Sequence, residues 1–304
     1  RAMAIVEDES QLAEYVQKAM TAAPHQPILI DHDVQGQECE VDILSDGQEV
    51  FIPGIMEHLE GSGIHSGASI AIYPPQHLTT AQQAEIIQTA TAIGKAVHCV
   101  GMMNVQFIVA DQLYVIDVNP RASRTVPFMS KVTGYHLAKL ATNLILGKTL
   151  ADLHLPIGCP TPKPGVAIKA PVFSFTKLPG MATGLAPEMK STGETIGLGS
   201  DYHEALAKAL CDSYHCALPK AGDVLLCSQQ PDAALVDELA SVGVKLTLWD
   251  GTLPAVKPWA ALNCDEQQTT ASPLNYYALS HQVPLLTSTA TLLGLLQAVL
   301  QPAS

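Results

Sequence analysis

Three oxygen-bearing side chains, Gln106, Asp117 and Asn119, followed at once by Arg121 and Arg124, are the residues whose types and spacing could do chemistry. Two β-rich runs, residues 104–110 and 113–119, are separated by Asp111 and Gln112, which suits a two-residue hairpin loop. If those two residues turn the chain, Ala110 pairs with Leu113, Gln106 falls opposite Asp117, and Asn104 falls opposite Asn119. Cross-strand partners share a face, and so do residues two apart on one strand. The spacing predicts Gln106, Asp117 and Asn119 on one face, with Phe107, Ile116 and Val118 turned toward a core. Oxygen donors suit a hard cation, Mg2+ or Mn2+, which shares its remaining positions with water and phosphate oxygens. Pro120 breaks the strand, and the guanidinium groups of Arg121 and Arg124 suit bidentate contact with phosphate or carboxylate. Such an arrangement would serve phosphoryl transfer. The same pattern also fits a solvated polar hairpin face whose arginines make surface salt bridges.

The elements that must position these groups are legible as alternating patterns. Asp8 is a good N-cap for a helix with Leu12, Tyr15, Val16 and Met20 at helical spacing, ended by Pro24 and Pro27. Strand-like stretches are expected at residues 4–6 and 27–31, and two more, 39–44 and 49–56, flank the turn Ser45, Asp46, Gly47. Residues 79–98 read as a long amphipathic helix, 127–146 as helical, 156–164 as a loop, 166–174 as a strand and 202–210 as a helix. From residue 223 onward, strands alternate with helices, which implies a small parallel sheet with crossover helices. The predicted fold class is α/β: a lobe with an antiparallel sheet over residues 1–211, then a Rossmann-like parallel-sheet domain over residues 212–304.

A chain of 304 residues is long enough for about two cores, and 15% charged with 47% apolar residues is the composition of a globular protein. The net charge of −13, without a basic block, argues against a nucleic-acid partner or an anionic membrane surface. Seven cysteines, with no C-x-x-C spacing, point to the reducing cytoplasm and not to a disulfide framework. Cys211, His215 and Cys216, with His203 upstream, lack a second spaced pair and read as inert thiols. No apolar run reaches the roughly eighteen residues of a membrane span. Because the chain begins at Arg1 without Met, a piece of a longer protein is expected.

The runs 103–107 and 115–128, together with 54–58, 63–67 and 187–194, closely resemble the large subunit of carbamoyl-phosphate synthetase, of the ATP-grasp superfamily. The resemblance covers roughly residues 1–200, and the closing Rossmann-like domain makes it a resemblance to the second synthetase half with its methylglyoxal-synthase-like regulatory domain. It implies a ligase that uses ATP to phosphorylate carbamate, within the synthesis of carbamoyl phosphate from bicarbonate and glutamine or ammonia, for arginine and pyrimidine biosynthesis. Implied partners are a glutaminase small subunit, the remaining N-terminal part of the large subunit, and further copies in an oligomer. By motif position, His32 and Val34 look like the adenine hinge, Glu38 the ribose acid, and Gly63, Ile64, His65 and Ser66 the loop beside the nucleotide. Gln106, Asp117 and Asn119 match the metal ligands, Gln106 and Asp117 also facing the nucleotide, and Arg121 and Arg124 the phosphate-side cations. Taken alone, Glu38 also fits an acidic hairpin edge.

The departures carry expectations too. The family usually has Glu where Asp117 stands, and one methylene fewer draws the carboxylate back by on the order of 1.5 Å. Glu60 and Glu194 match acids of the family's ornithine site, whereas Ala68 replaces a third. Thr252 and Asn263 match part of its nucleotide-effector site, but Trp249 and Asp265 do not. Weakened or lost nucleotide control is therefore expected, and without the preceding lobe the 304-residue piece is expected to lack synthetase activity. Two other readings stay open: a different ATP-grasp carboxylate–amine ligase, and a catalytically silent regulatory or scaffold chain.

Overall fold

The computed structural model describes residues 6, 8–24, 26–178, 180–185, 189–263 and 269–300. The elements in chain order are α1 (Glu9–Ala22), β1 (Gln37–Asp46), β2 (Val50–Phe51), β3 (Ile55–His58), β4 (Ala71–Tyr73), α2 (Thr80–Ala96), β5 (Val100–Val109) and β6 (Leu113–Asn119). They continue with α3 (Val126–Thr133), α4 (Leu137–Ile145), β7 (Val166–Val172), β8 (Gly193–Gly199), α5 (Tyr202–Tyr214), β9 (Val224–Cys227), α6 (Ala233–Ser241), β10 (Lys245–Leu248), β11 (Ala260–Leu262), α7 (Pro273–Ser280), β12 (Leu285–Leu286) and α8 (Thr289–Leu300). The first sheet is antiparallel in the order β6-β5-β1-β3-β4-β7-β8, with β2 also pairing β1, and the second is parallel in the order β10-β9-β11-β12. Both halves of the α/β expectation are met.

Strand β1 sets the character of the first sheet. Cys39, Val41 and Ile43 point to one face, where they join Val105, Phe107 and Val109 of β5 and Ile86 and Ala90 of α2 in a buried core. Helix α2 begins on a capping box, Thr79 with Gln82, which satisfies donors at its first turn. The opposite face is divided. Leu44, Met102 and Phe51 lie under Phe128, Met129, Leu137 and Leu144 of α3 and α4, whereas Asp42, Glu40 and Glu38 carry the same face of β1 away from those helices. A third core fills the space between the sheets, with Ile72, Ile168 and Ala170 on one side, Leu225, Ala260 and Leu262 on the other, and Leu206, Leu210, Leu292 and Leu296 of α5 and α8 between them. Helix α5 thus runs across residue 211, packed on β7 and β8 of the first sheet and on α8.

Several expectations need correction. Residues 27–31 form no strand: among the described residues no strand pairs with them, and Leu29 and Ile30 are 83% and 60% exposed. Residues 4 and 5 of the first expected strand lie outside the described residues, and Val6 belongs to no element. The helical span 127–146 is two helices, because Gly134 at φ +82° ends α3 in the left-handed region. The run 49–56 is split into β2 and β3 at residues 52–54, which include Pro53, and both pieces pair with β1. Strands β4 and β8 were not foreseen; β4 is three residues long, and Gly193, Gly197 and Gly199 obscure any alternation in β8. Helix α1 forms as expected, with Asp8 Oδ1 accepting from the backbone of Ser10 and Gln11 at 2.9 and 2.8 Å, but none of its residues is buried.

Glycine is required where α5 crosses β8. A Cβ on Gly197 would lie 2.0 Å from Ala205 O and 2.6 Å from Ala209 N, both helix backbone. Gly197→Ala is expected to lift α5 and to destabilise the fold by about 3 kcal/mol; an unaltered thermal unfolding midpoint would contradict this packing.

Candidate active site

The hairpin reaches the expected juxtaposition by another route. Gln106 pairs with Asp117 and Asn104 with Asn119, as the spacing predicts, yet beyond them Phe107 pairs with Val115 and Val109 with Leu113. The turn therefore holds three residues, 110–112, and a bulge at residue 116 of β6 restores the register. Ile116, expected in the core, is 45% exposed as the extra residue of the bulge, while Phe107 is buried and Val118 packs beside it. Asn119 Nδ2 donates to Asp117 Oδ2 at 2.7 Å and Gln106 Nε2 to Ser66 Oγ at 3.1 Å. Those contacts use the amide nitrogens and leave amide oxygens with one carboxylate as the donors for a cation. This hard oxygen set fits a divalent cation.

Around this face the loop expected beside the nucleotide is held in place. Gly63 has φ +93°, His65 Nδ1 accepts from Gly67 N at 3.0 Å, and Ser66 O accepts from Lys169 Nζ at 3.1 Å. Burial and, after it, the charge of Arg124 hold the His65 imidazole below its usual value. A Cβ on Gly67 would stand 3.3 Å from Arg124 Cδ, so the Arg124 side chain runs along this loop. Arg121 is exposed, its Nη1 donating to Ala122 O at 3.1 Å. His32 and Val34 lie in an exposed segment without regular structure; Val34 O accepts from Ser62 Oγ at 2.8 Å, and His32 Nδ1 lies 2.7 Å from Asp33 O.

The floor of the site is a buried charge network that sequence reasoning noticed only at Glu38. Glu38, Glu40 and Asp42 alternate on β1 and are 4%, 1% and 1% exposed, so the edge-strand reading of Glu38 fails: β1 is flanked by β3 and β5. His58 Nε2 lies 3.3 Å from Glu40 Oε1, and its Nδ1 lies 3.7 Å from Glu38 Oε1, beyond hydrogen-bond distance. Burial alone would raise Glu40, but the hydrogen bond and charge of His58, with the hydrogen bond of Asn104, hold it below the usual carboxylate range. Burial likewise opposes the imidazolium, yet the bond and charge of Glu40 and the charge of Glu38 raise His58. Burial pushes Glu38 up and Lys169 down. The signal was present in Glu38-x-Glu40-x-Asp42, three carboxylates on one face of a strand whose other face is apolar.

Of the remaining named residues, Glu60 and Glu194 lie near enough to this network for their charges to act on Lys169, and that of Glu60 on Glu38 as well. Glu60 is buried and accepts from Ser69 Oγ at 2.5 Å and Ile70 N at 2.7 Å, and Glu194 is exposed on β8. Thr252 is exposed, its hydroxyl on Asp250 Oδ1 at 2.6 Å. Asn263 is buried at the end of β11, donating to Asn275 Oδ1 at 2.9 Å and accepting from Ser228 Oγ at 3.2 Å. A cavity of about 180 Å³ opens at this end of the parallel sheet, lined in part by Ser228, Gln230, Asp232 and Thr289, with no Lys or Arg among the described residues of its wall. Trp249 stacks on Tyr277 at 4.7 Å. Asp265 lies outside the described residues.

The family described as "Carbamoyl-phosphate synthase L chain, ATP binding domain" matches residues 1–153, half of the chain. The chain belongs to the carbamoyl-phosphate synthase large-chain family. The "Carbamoyl phosphate synthase arginine-specific large chain" of Lactiplantibacillus plantarum is 48% identical over 309 residues, which cover 100% of this chain. This chain spans 30% of that protein's length. Among solved structures, the biotin carboxylase domain of a single-chain bacterial carboxylase aligns at 18% identity and a TM-score of 0.46, over 69% of this chain and 58% of that one. The Kluyveromyces lactis urea carboxylase aligns at 18% identity and a TM-score of 0.45, over 57% of this chain and 18% of that one.

The charge network makes a pH-dependent prediction. The raised His58 value contributes stability that is complete below the unfolded value of 6.5 and lost as pH rises through the folded value. The lowered Glu40 value contributes stability present above the unfolded 4.5 and lost as pH falls through the folded value. His58→Gln removes the cation and leaves Glu40 buried without it, an expected cost of about 3 kcal/mol near pH 7. The deficit should shrink toward a pH of about 5, where protonating the stranded carboxylate becomes cheap. Urea unfolding at both pH values measures it, and a deficit that grows on acidification would rule the arrangement out.

Proposed function

We propose that the chain supplies the metal-and-phosphate side of the site at which a carbamoyl-phosphate synthase phosphorylates carbamate with ATP. The observation that carries the reading is the register that sets Gln106, Asp117 and Asn119 on one face, beside the loop of Ser66 and with Arg124 along it. A carbamate oxygen attacks the γ-phosphorus, and the bond to the leaving ADP oxygen breaks. Arg121 and Arg124 hold charge on the transferring group, work done by positioning and electrostatics. A divalent cation on Gln106, Asp117 and Asn119 would neutralise phosphate charge. Glu38 would hold the ribose, and His32 and Val34 the adenine through backbone groups.

Several finer proposals accompany this one. The chain divides after α5, which continues across residue 211 to Tyr214, its parent works in the cytoplasm with a glutaminase subunit and the rest of the large chain, and its product feeds arginine synthesis. Among the described residues no helix is long and apolar enough to cross a membrane. Nucleotide control through Thr252 and Asn263 is weakened: Asn263 is occupied by Asn275 and Ser228, and the described residues of the cavity wall at that sheet end include no Lys or Arg. Ornithine would meet Glu60 and Glu194, with Ala68 buried in place of a third acid.

The reverse step isolates this half of the chemistry: intact parent protein given carbamoyl phosphate and Mg-ADP is expected to form ATP. Asp117→Ala should lower that rate by about 100-fold or more, while Asp117→Glu, with the family's usual acid, should keep most of it. An intact protein that forms no ATP, or one indifferent to Asp117→Ala, favours the silent-chain reading and defeats this one.

A further inference from the structure

Asp42 stands on β1 at the border between the apolar and polar halves of the site face, and is 1% exposed. Its Oδ2 accepts from Ser123 Oγ and from Thr125 Oγ1, both at 2.9 Å, and its Oδ1 accepts from Asn104 Nδ2 at 3.1 Å. Asn104 also donates to Glu40 Oε2 at 2.9 Å, so the same amide joins Asp42 to the buried floor. Ser123 and Thr125 are the two residues on either side of Arg124. Their hydroxyls lie 2.7 Å apart, and Ser123 Oγ accepts from Thr125 N at 3.2 Å. The backbone before and after Arg124 is thereby fastened to the centre of the sheet.

A purely structural role would be served more cheaply by an apolar residue, because burying a carboxylate beside a second one is costly unless every lone pair is used. Here three neutral donors hold the carboxylate and no cation is among its hydrogen-bond partners. What the arrangement does achieve is direction. A loop residue between two anchored neighbours loses most of its backbone freedom, and Arg124 emerges along the loop of His65 and Gly67.

We propose that Asp42 is a positioning residue for phosphoryl transfer: through Ser123 and Thr125 it fixes the backbone that aims Arg124 at the transferring phosphate. This rests on the reading above, so the test carries one readout that is independent of turnover. In the intact protein, Asp42→Asn should raise amide hydrogen exchange across residues 121–126 by about tenfold while β1 and β5 stay protected. In the reverse reaction it should lower kcat about tenfold with KM for ADP changed less than about threefold. In an Arg124→Ala background, Asp42→Asn should cost less than about twofold more, the non-additivity of residues acting through one another. Thr125→Val, which keeps the carboxylate, should move the same readouts in the same direction by less, and its exchange decides the matter if Asp42→Asn fails to fold. Unchanged exchange across 121–126, or a full additional loss in the Arg124→Ala background, overturns the proposal. Faster exchange in Asp42→Asn, with a wild type that forms no ATP, sinks the reading of function and leaves the clamp standing.

Discussion

The molecule turns on the burial of three carboxylates along one strand. Glu38, Glu40 and Asp42 are each at most 4% exposed in a strand flanked on both sides, a position that ordinarily belongs to Val or Ile. Such charges are costly to bury without partners; the surrounding chain hydrogen-bonds Glu40 and Asp42, while Glu38 has the charge of His58 at 3.7 Å. His58 on β3 and Asn104 on β5 serve Glu40, while Asn104, Ser123 and Thr125 serve Asp42. Lys169 on β7 adds positive charge near Glu40 and reaches Ser66 O at 3.1 Å. Two loops that frame the site face are therefore tied, one through Asp42 and one through Lys169, to the same buried floor.

The division of one sheet face explains how a cleft and a core coexist. The strands that carry Leu44 and Met102 under α3 and α4 carry Asp42, Glu40, Asn104 and Gln106 a few residues on. Period-two alternation keeps these residues on one side, so the transition from core to site happens along the strand and not across it. The opposite face stays apolar against α2, and the buried Phe107 stiffens the hairpin from behind. Function and stability thus use the two sides of the same strands.

Between the sheets, α5 and α8 form a shared core with residues from both. Tyr214 of α5 bonds to Thr287, just before α8, at 2.7 Å, so polar as well as apolar contacts cross the junction. At the far side of the parallel sheet, Trp249 stacks on Tyr277, and Tyr277 on His281 at 4.5 Å. Aromatic packing takes up space near the sheet end where open parallel sheets usually place a ligand.

By itself the sequence determined which side chains can do chemistry and which faces they share. Strand periodicity, caps such as Asp8 and Thr79, and the alternation of strands and helices after residue 223 are local properties, set by neighbours a few positions away. The pairing of Gln106 with Asp117 was foreseen, although through a two-residue turn; the structure uses a three-residue turn and a bulge whose shifts cancel. Only the tertiary structure decided that residues 27–31 stay unpaired, that Glu38 lies in a central strand, and that Glu40, Asp42, His58 and Lys169 form a floor. Buried charge compensation depends on residues 18 or more positions apart in the chain, as from Glu40 to His58 or Asp42 to Thr125. Local pattern carries no information about distances of that kind, and folding alone brings those groups within hydrogen-bond reach.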